Sequence, residues 1–126
     1  MSLKSIAATA LVAAALSLSA LAQDTSSGAP PAHRYQGWGL AISYEVIGEK
    51  CAGSLSADDM ATVRAYVASG LADAKRTDAA FDHDKFARDF RADMTTKYAD
   101  ARNCTTEAVA DARRTIALIR ERDRAR

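Results

Sequence analysis

The sequence predicts an all-α fold: a small four-helix bundle with one disulfide, preceded by a signal peptide and a flexible arm. Three observations predict it. Apolar residues recur at helical spacing in four segments, no segment alternates apolar and polar residues as a half-buried strand does, and the two cysteines fall near the ends of two predicted helices. A chain of 126 residues allows one such domain.

Residues 1–22 have the features of a secretory signal peptide. Lys4 gives a basic start, the segment up to Leu18 is apolar and rich in small residues, and residues 20–22 (ALA) have the small-x-small form of a cleavage site. We expect the mature chain to begin at Gln23 and to be periplasmic or secreted. The alternative is a leader retained as a membrane anchor, which would also place the domain outside the cytoplasm.

Residues 23–37 are predicted to form a disordered arm. They are rich in Ser, Gly, Pro and Ala and show no repeating apolar period. The helical domain is therefore expected to span residues 38–126.

The first helix is predicted over about 39–51. Leu40, Tyr44, Ile47 and Cys51 are spaced so that they share one helix face, which we expect to be buried. Gly53 follows, at a position that favours the end of a helix.

The second helix carries the sharpest start signal. Ser56 is a favourable N-cap, Asp59 stands three residues later where it can reach back to the cap, and Leu55 and Met60 occupy the two positions of a hydrophobic staple. The helix is expected to end near Arg76. Its apolar face is formed by Met60, Val63, Val67, Leu71 and Ala74.

Two further helices complete the bundle. The third is predicted over about 79–100, with Thr77 or Asp78 as its cap, and the fourth runs from a cap at Thr105 to about Arg122. Their apolar stripes are Phe86, Phe90, Met94 and Tyr98 in the third helix, and Val109, Ala112, Ile116 and Ile119 in the fourth.

Cys51 and Cys104 are expected to form an intramolecular disulfide. They are the only two cysteines, and both lie in the exported part, where an oxidising compartment favours pairing. Closing a loop of this length stabilises the fold by roughly 4 kcal/mol in the chain-entropy model. The alternatives are free thiols or an intermolecular bridge. Two isolated cysteines lack the paired spacing of zinc sites.

Charge and hydropathy exclude some classes of function. The chain has 17 Lys and Arg against 16 Asp and Glu, so it carries no strongly basic field that would recruit nucleic acid. After cleavage of the leader no apolar run is long enough for stable membrane insertion. We expect no nucleic-acid partner, and the sequence leaves the oligomeric state open.

We predict no catalytic residue, no metal site and no cofactor. Asp78, Asp82 and Asp84 surround His83, but Phe86 occupies the third ligand position of the pattern they begin. We interpret the group as acids favoured in the first turns of a helix, with an exposed histidine among them. No nucleophile elbow, phosphate-binding glycine loop or haem-attachment motif is present. The chain is therefore not expected to be an enzyme.

Three aromatic residues are candidates for contact with a partner protein. Tyr35, Trp38 and Tyr44 gather where the arm meets the first helix, and such rings are favoured anchors of interfaces. The alternative is that Trp38 packs over the bundle as a lid.

Two functional hypotheses follow. The first is an exported binding or accessory protein of inhibitor, immunity or accessory type, acting through protein–protein contacts in the cell envelope. The alternative is a periplasmic acid-stress chaperone that opens at low pH. In its leader and its widely spaced cysteine pair the chain resembles small periplasmic chaperones of that class. No sequence motif is shared, so no functional residue can be assigned from this resemblance. An enzyme is the least favoured reading.

Overall fold

The computed structural model describes residues 37–126, so the predictions of a signal peptide and of an arm up to residue 36 lie outside the described residues. The described part is an all-α four-helix bundle, as the sequence predicted. Its elements are α1 (Trp38–Lys50), α2 (Ala57–Thr77), α3 (His83–Ala99), a short 3-10 helix (Ala101–Asn103) and α4 (Thr106–Arg124). No strand occurs within residues 37–126.

Helix α1 is the central element of the bundle. It packs closely on α2 and α3 and more lightly on α4, and almost every residue from Gly39 to Ile47 is buried. The exception corrects the predicted stripe, because Leu40 is 38% exposed. A helix with neighbours on three sides buries most of its circumference, so the one-face pattern assumed from the sequence does not apply to it.

The start of α2 confirms the capping prediction. The Ser56 side chain accepts a hydrogen bond from the Asp59 N–H, and the Asp59 carboxylate accepts one from the Ser56 N–H, which completes a capping box. Leu55 and Met60, the predicted staple, are partly buried and pack against the core. The helix ends at Thr77, one residue beyond the expected end.

The start of α3 differs from the prediction. The helix begins at His83 with Asp82 as its N-cap, whose side chain accepts from the Lys85 N–H. Asp78 instead ends α2, because its N–H donates to the carbonyl of Ala74. The predicted apolar stripe of α3 is confirmed, with Tyr98 buried and the other three members not fully exposed.

A disulfide joins the end of α1 to the segment before α4, as predicted. The Cα atoms of Cys51 and Cys104 are 5.7 Å apart. Thr105 caps α4 by accepting from the Ala108 N–H. Since Tyr44 of α1 contacts Asp111 of α4, the two helices lie side by side and antiparallel, with α1 running toward the disulfide and α4 away from it.

Candidate functional site

An open groove of about 1000 Å³ lies at the end of the bundle where α1 begins. Its walls are formed by α2, from its middle to its carboxyl-terminal end, and by the carboxyl-terminal half of α4, with Ala65, Tyr66 and Ser69 on one side and Ile119 and Arg122 on the other. Trp38 lines the same groove. It combines apolar surface, aromatic rings and charged side chains, a mixture typical of surfaces that bind proteins.

Trp38 is half-buried and held by α2 and α3. A side chain on Gly70 would place its Cβ 2.2 Å from the Cβ of Trp38, so glycine permits this close approach. The indole meets the Phe86 ring edge-on with ring centroids 5.8 Å apart. The ring is therefore fixed in position while part of it faces the groove.

Two of the three predicted partner-contact residues, Trp38 and Tyr44, lie within the described part of the chain, and they differ in burial. Tyr35 lies outside the described residues. Tyr44 is buried against α4, and its hydroxyl donates a hydrogen bond of 2.9 Å to Asp111 Oδ2. Burial raises the pKa of the Tyr44 phenol. Because the Tyr44 ring is buried, it is not available to a partner in this structure. Of the two described residues, Trp38 is the one that remains a candidate for contact.

His83 was expected to be exposed and is 3% exposed. Its ring packs edge-on against Phe81, with centroids 4.9 Å apart, and lies 6.3 Å from the Trp38 ring. Nε2 is 2.9 Å from the carbonyl oxygen of Asp78. Nδ1 is buried and has no hydrogen-bond partner within the described part of the chain. The histidine forms part of the floor of the groove, where the start of α3 meets Trp38.

A buried carboxylate on α1 was not anticipated from the sequence. Glu45 is buried, and its Oε2 accepts a hydrogen bond of 2.7 Å from Arg91 of α3 while Oε1 lies 3.7 Å from Nε of Arg64 of α2. A buried charge is tolerated when it is paired in this way. The pair of guanidinium groups links the central helix to two of its neighbours. The available signal was a glutamate within the run of mostly apolar residues from Leu40 to Ile47.

Polar contacts connect α4 to the α1–α2 hairpin. Arg120 donates to Asp59 Oδ1 at 2.8 Å and lies 3.4 Å from the Thr62 hydroxyl. Nearer the start of α4, Arg113 donates to the carbonyl oxygen of Ser54 at 2.7 Å. The hydrogen bond from Arg120 holds the pKa of the Asp59 carboxyl below its ordinary value.

The described residues offer few groups for chemistry. Within residues 37–126 no three His, Cys, Asp or Glu side chains lie close enough together to hold a metal ion. Both cysteines are in the disulfide, so neither is a thiol nucleophile. None of the helices in this part of the chain is both long enough and apolar enough to cross a membrane.

Comparison with known proteins finds no match. No protein-family model matches the chain, and neither a curated protein nor a solved structure does so. The groove, the charge pairs and the disulfide are the features of the described residues that bear on function.

Proposed function

We propose that this chain is an exported helical protein that acts by binding another protein of the cell envelope, as an inhibitor, immunity or accessory protein. The observation that carries the proposal is the groove beside Trp38. The helices supply a rigid frame, and Trp38 and Tyr66 supply rings with apolar bodies, the kind of side chain that anchors interfaces.

Export is part of the same proposal. The basic start, apolar segment and small-x-small site at residues 20–22 support a cleaved leader, and a disulfide within the helical domain is typical of an oxidising compartment. We accordingly propose a periplasmic or secreted mature protein that begins at Gln23.

A pair of alanines on α2 allows a matched test of the groove. Ala65 and Ala68 are both exposed on the same helix, and only Ala65 lines the groove. The tagged full chain is expressed in the organism that produces it and captured from the envelope fraction, and intact mass gives the start of the mature chain. We expect a stoichiometric partner that is lost with Ala65→Arg, because the long charged side chain fills the groove, and retained with Ala68→Arg.

Equal recovery of the partner with both arginine variants would show that binding does not use the groove. Failure to recover any stoichiometric partner with the unaltered chain would contradict the binding proposal itself. Circular dichroism of both variants establishes that each keeps its helices.

A second candidate function is an acid-stress chaperone that opens at low pH, and the charge pairs favour it. Five aspartates have pKa values lowered chiefly by a hydrogen bond from a cationic side chain: Asp59 (from Arg120), Asp84 (from Lys75), Asp89 (from Lys85), Asp100 (from Arg102) and Asp111 (from Arg114). Each exposed pair contributes little alone. All five nevertheless act in the same direction when the pH falls.

Acid is therefore expected to destabilise the fold. Because folding lowers these pKa values, the pairs stabilise the folded state above the ordinary aspartate value of 3.8, and that stability is lost as the pH falls through the lowered values. Thermal unfolding followed from pH 7 to pH 2 should show a midpoint that is steady above about pH 5 and falls below about pH 4. Binding of a hydrophobic dye should rise in the same range. A midpoint and dye signal unchanged down to pH 2 would remove this candidate.

A further inference from the structure

Helix α4 is attached to the bundle differently at its two ends. Its amino-terminal end follows Cys104, which is covalently joined to α1 through Cys51. Ala112 in its amino-terminal half and Ile116 at its middle also belong to the central core. A covalent link and core packing therefore fix this half.

The carboxyl-terminal half of α4 has weaker support. Ile119 is buried, but it does not join the core cluster that contains Ile116, and it lines the groove instead. Arg122 and Arg126 also line the groove, so an open space separates the last turns of α4 from α2. Packing alone holds this half less firmly than the first half.

One ion pair joins α4 to α2 between the core-packed part of α4 and the part that lines the groove. Arg120 of α4 donates to Asp59 at the start of α2, and among the described residues it is the last side chain along α4 to hydrogen-bond to another element. The pair is only partly exposed, with 32% of the arginine side chain and 20% of the aspartate side chain accessible. A pair shielded to this degree is screened less than one in open solvent.

We propose that the Asp59–Arg120 pair is an acid-sensitive latch, and that its release lets the carboxyl-terminal half of α4 swing away from α2 while the Cys51–Cys104 disulfide keeps the other end of the helix in place. Protonation of Asp59 removes the negative charge that holds Arg120. Opening would uncover Ile119 on α4 and the groove-facing side of α2. The proposal deepens the second candidate function and depends on it for a biological role.

The surroundings of Asp59 contain few other charges that could replace the latch. Asp58 is its neighbour on α2 and is also negatively charged. Arg113 of α4 donates its hydrogen bond to the carbonyl oxygen of Ser54 instead. No charged side chain of α1 or α3 forms an ion pair with Asp59 within residues 37–126. Asp59 is thus the member of the pair that loses its charge in acid, since arginine stays charged at every relevant pH.

Hydrogen exchange on the full, disulfide-bonded chain tests the latch at neutral pH. Asp59→Asn imitates protonation and keeps an oxygen that can accept at the cap, and Arg120→Gln removes the other half of the pair. Asp58→Asn is the control, because it removes one negative charge from the same helical turn, where the exposed Asp58 side chain makes no ion pair within the described residues. We expect both latch variants to speed exchange of amides in residues 117–124 by about tenfold or more relative to those of α1, and the control to leave this ratio unchanged.

The result that would overturn the latch is equal acceleration in all four helices, or none in α4, for both variants. Unaltered protein at about pH 3 should show the same local opening after correction for intrinsic exchange rates. Suppression of client aggregation at that pH is measured separately. Local opening without suppression supports the latch and refutes the chaperone, whereas suppression without local opening overturns the latch alone.

Discussion

Replacing Cys51 and Cys104 together by serine is expected to lower the free energy of unfolding by about 4 kcal/mol. The bridge joins residues 53 apart in sequence, so its loss frees a long loop in the unfolded chain. Folded domains of this size have a free energy of unfolding of about 5–15 kcal/mol, and the loss is a large part of it. Urea unfolding of the double variant and of the unaltered protein measures the difference.

Reduction of the unaltered protein is the control for the serine substitutions. The reduced protein and the double variant should unfold at similar urea concentrations, since both lack the same covalent constraint. A loss below about 1 kcal/mol in both would contradict the prediction and show that the unfolded chain gains little freedom when the bridge is removed.

Gly70→Ala is expected to lower the free energy of unfolding by about 3 kcal/mol, at the upper end of overpacking effects. The new methyl would lie 2.2 Å from Cβ of Trp38, an atom that moves only if α1 itself shifts, and 2.5 Å from its Cγ. The higher helix propensity of alanine offsets about 1 kcal/mol of the strain and is included in this figure. Thermal and urea unfolding measure the change.

Gly48→Ala is the matched comparison on the other side of the same interface. The nearest atom to its new methyl would be Sδ of Met60, at 2.1 Å, followed by Cδ1 of Leu55 at 2.8 Å. Both lie far out on flexible side chains that can change rotamer, so we expect a loss of about 1 kcal/mol or less. A Gly48 variant as unstable as the Gly70 variant would show that rigidity of the opposing atoms does not decide the cost.

The parts of the fold that could be predicted are those that depend on neighbouring residues in sequence. The capping box of Ser56 and Asp59 is complete within four residues, and so is the Thr105 cap of α4. The α3 stripe was also recovered, because that helix has one side facing the core and one facing solvent.

The parts that could not be predicted depend on contacts between distant segments. Three residues could cap α3 by residue type: Thr77, Asp78 and Asp82. In the structure α2 extends to Thr77 and Asp78 forms its C-cap, so α3 begins later, with Asp82 as its N-cap. Leu40 was expected to be buried from its helical spacing and is exposed instead. The spacing of residues within α1 does not reveal how many other helices surround it. His83 is buried because rings from separate segments meet at its position.

The groove and the latch are both formed by residues that are far apart in sequence. The Asp59–Arg120 contact joins residues 61 apart, and the capping signal at Asp59 does not indicate that Arg120 is its partner. The disulfide was predictable from residue count and compartment, whereas the side chains that line the space between α2 and α4 become evident only when both helices are in place.

The central position of α1 has a consequence for how the chain matures. This helix is the first of the four to be synthesised, yet the surfaces that cover it belong to segments made later, and its bonded cysteine partner stands just before the last helix. A nascent chain would therefore present a largely apolar segment without cover until α2 and α3 have emerged, and correct oxidation must wait longer still. Helix α1 is consequently the helix that must wait longest for the surfaces that cover it.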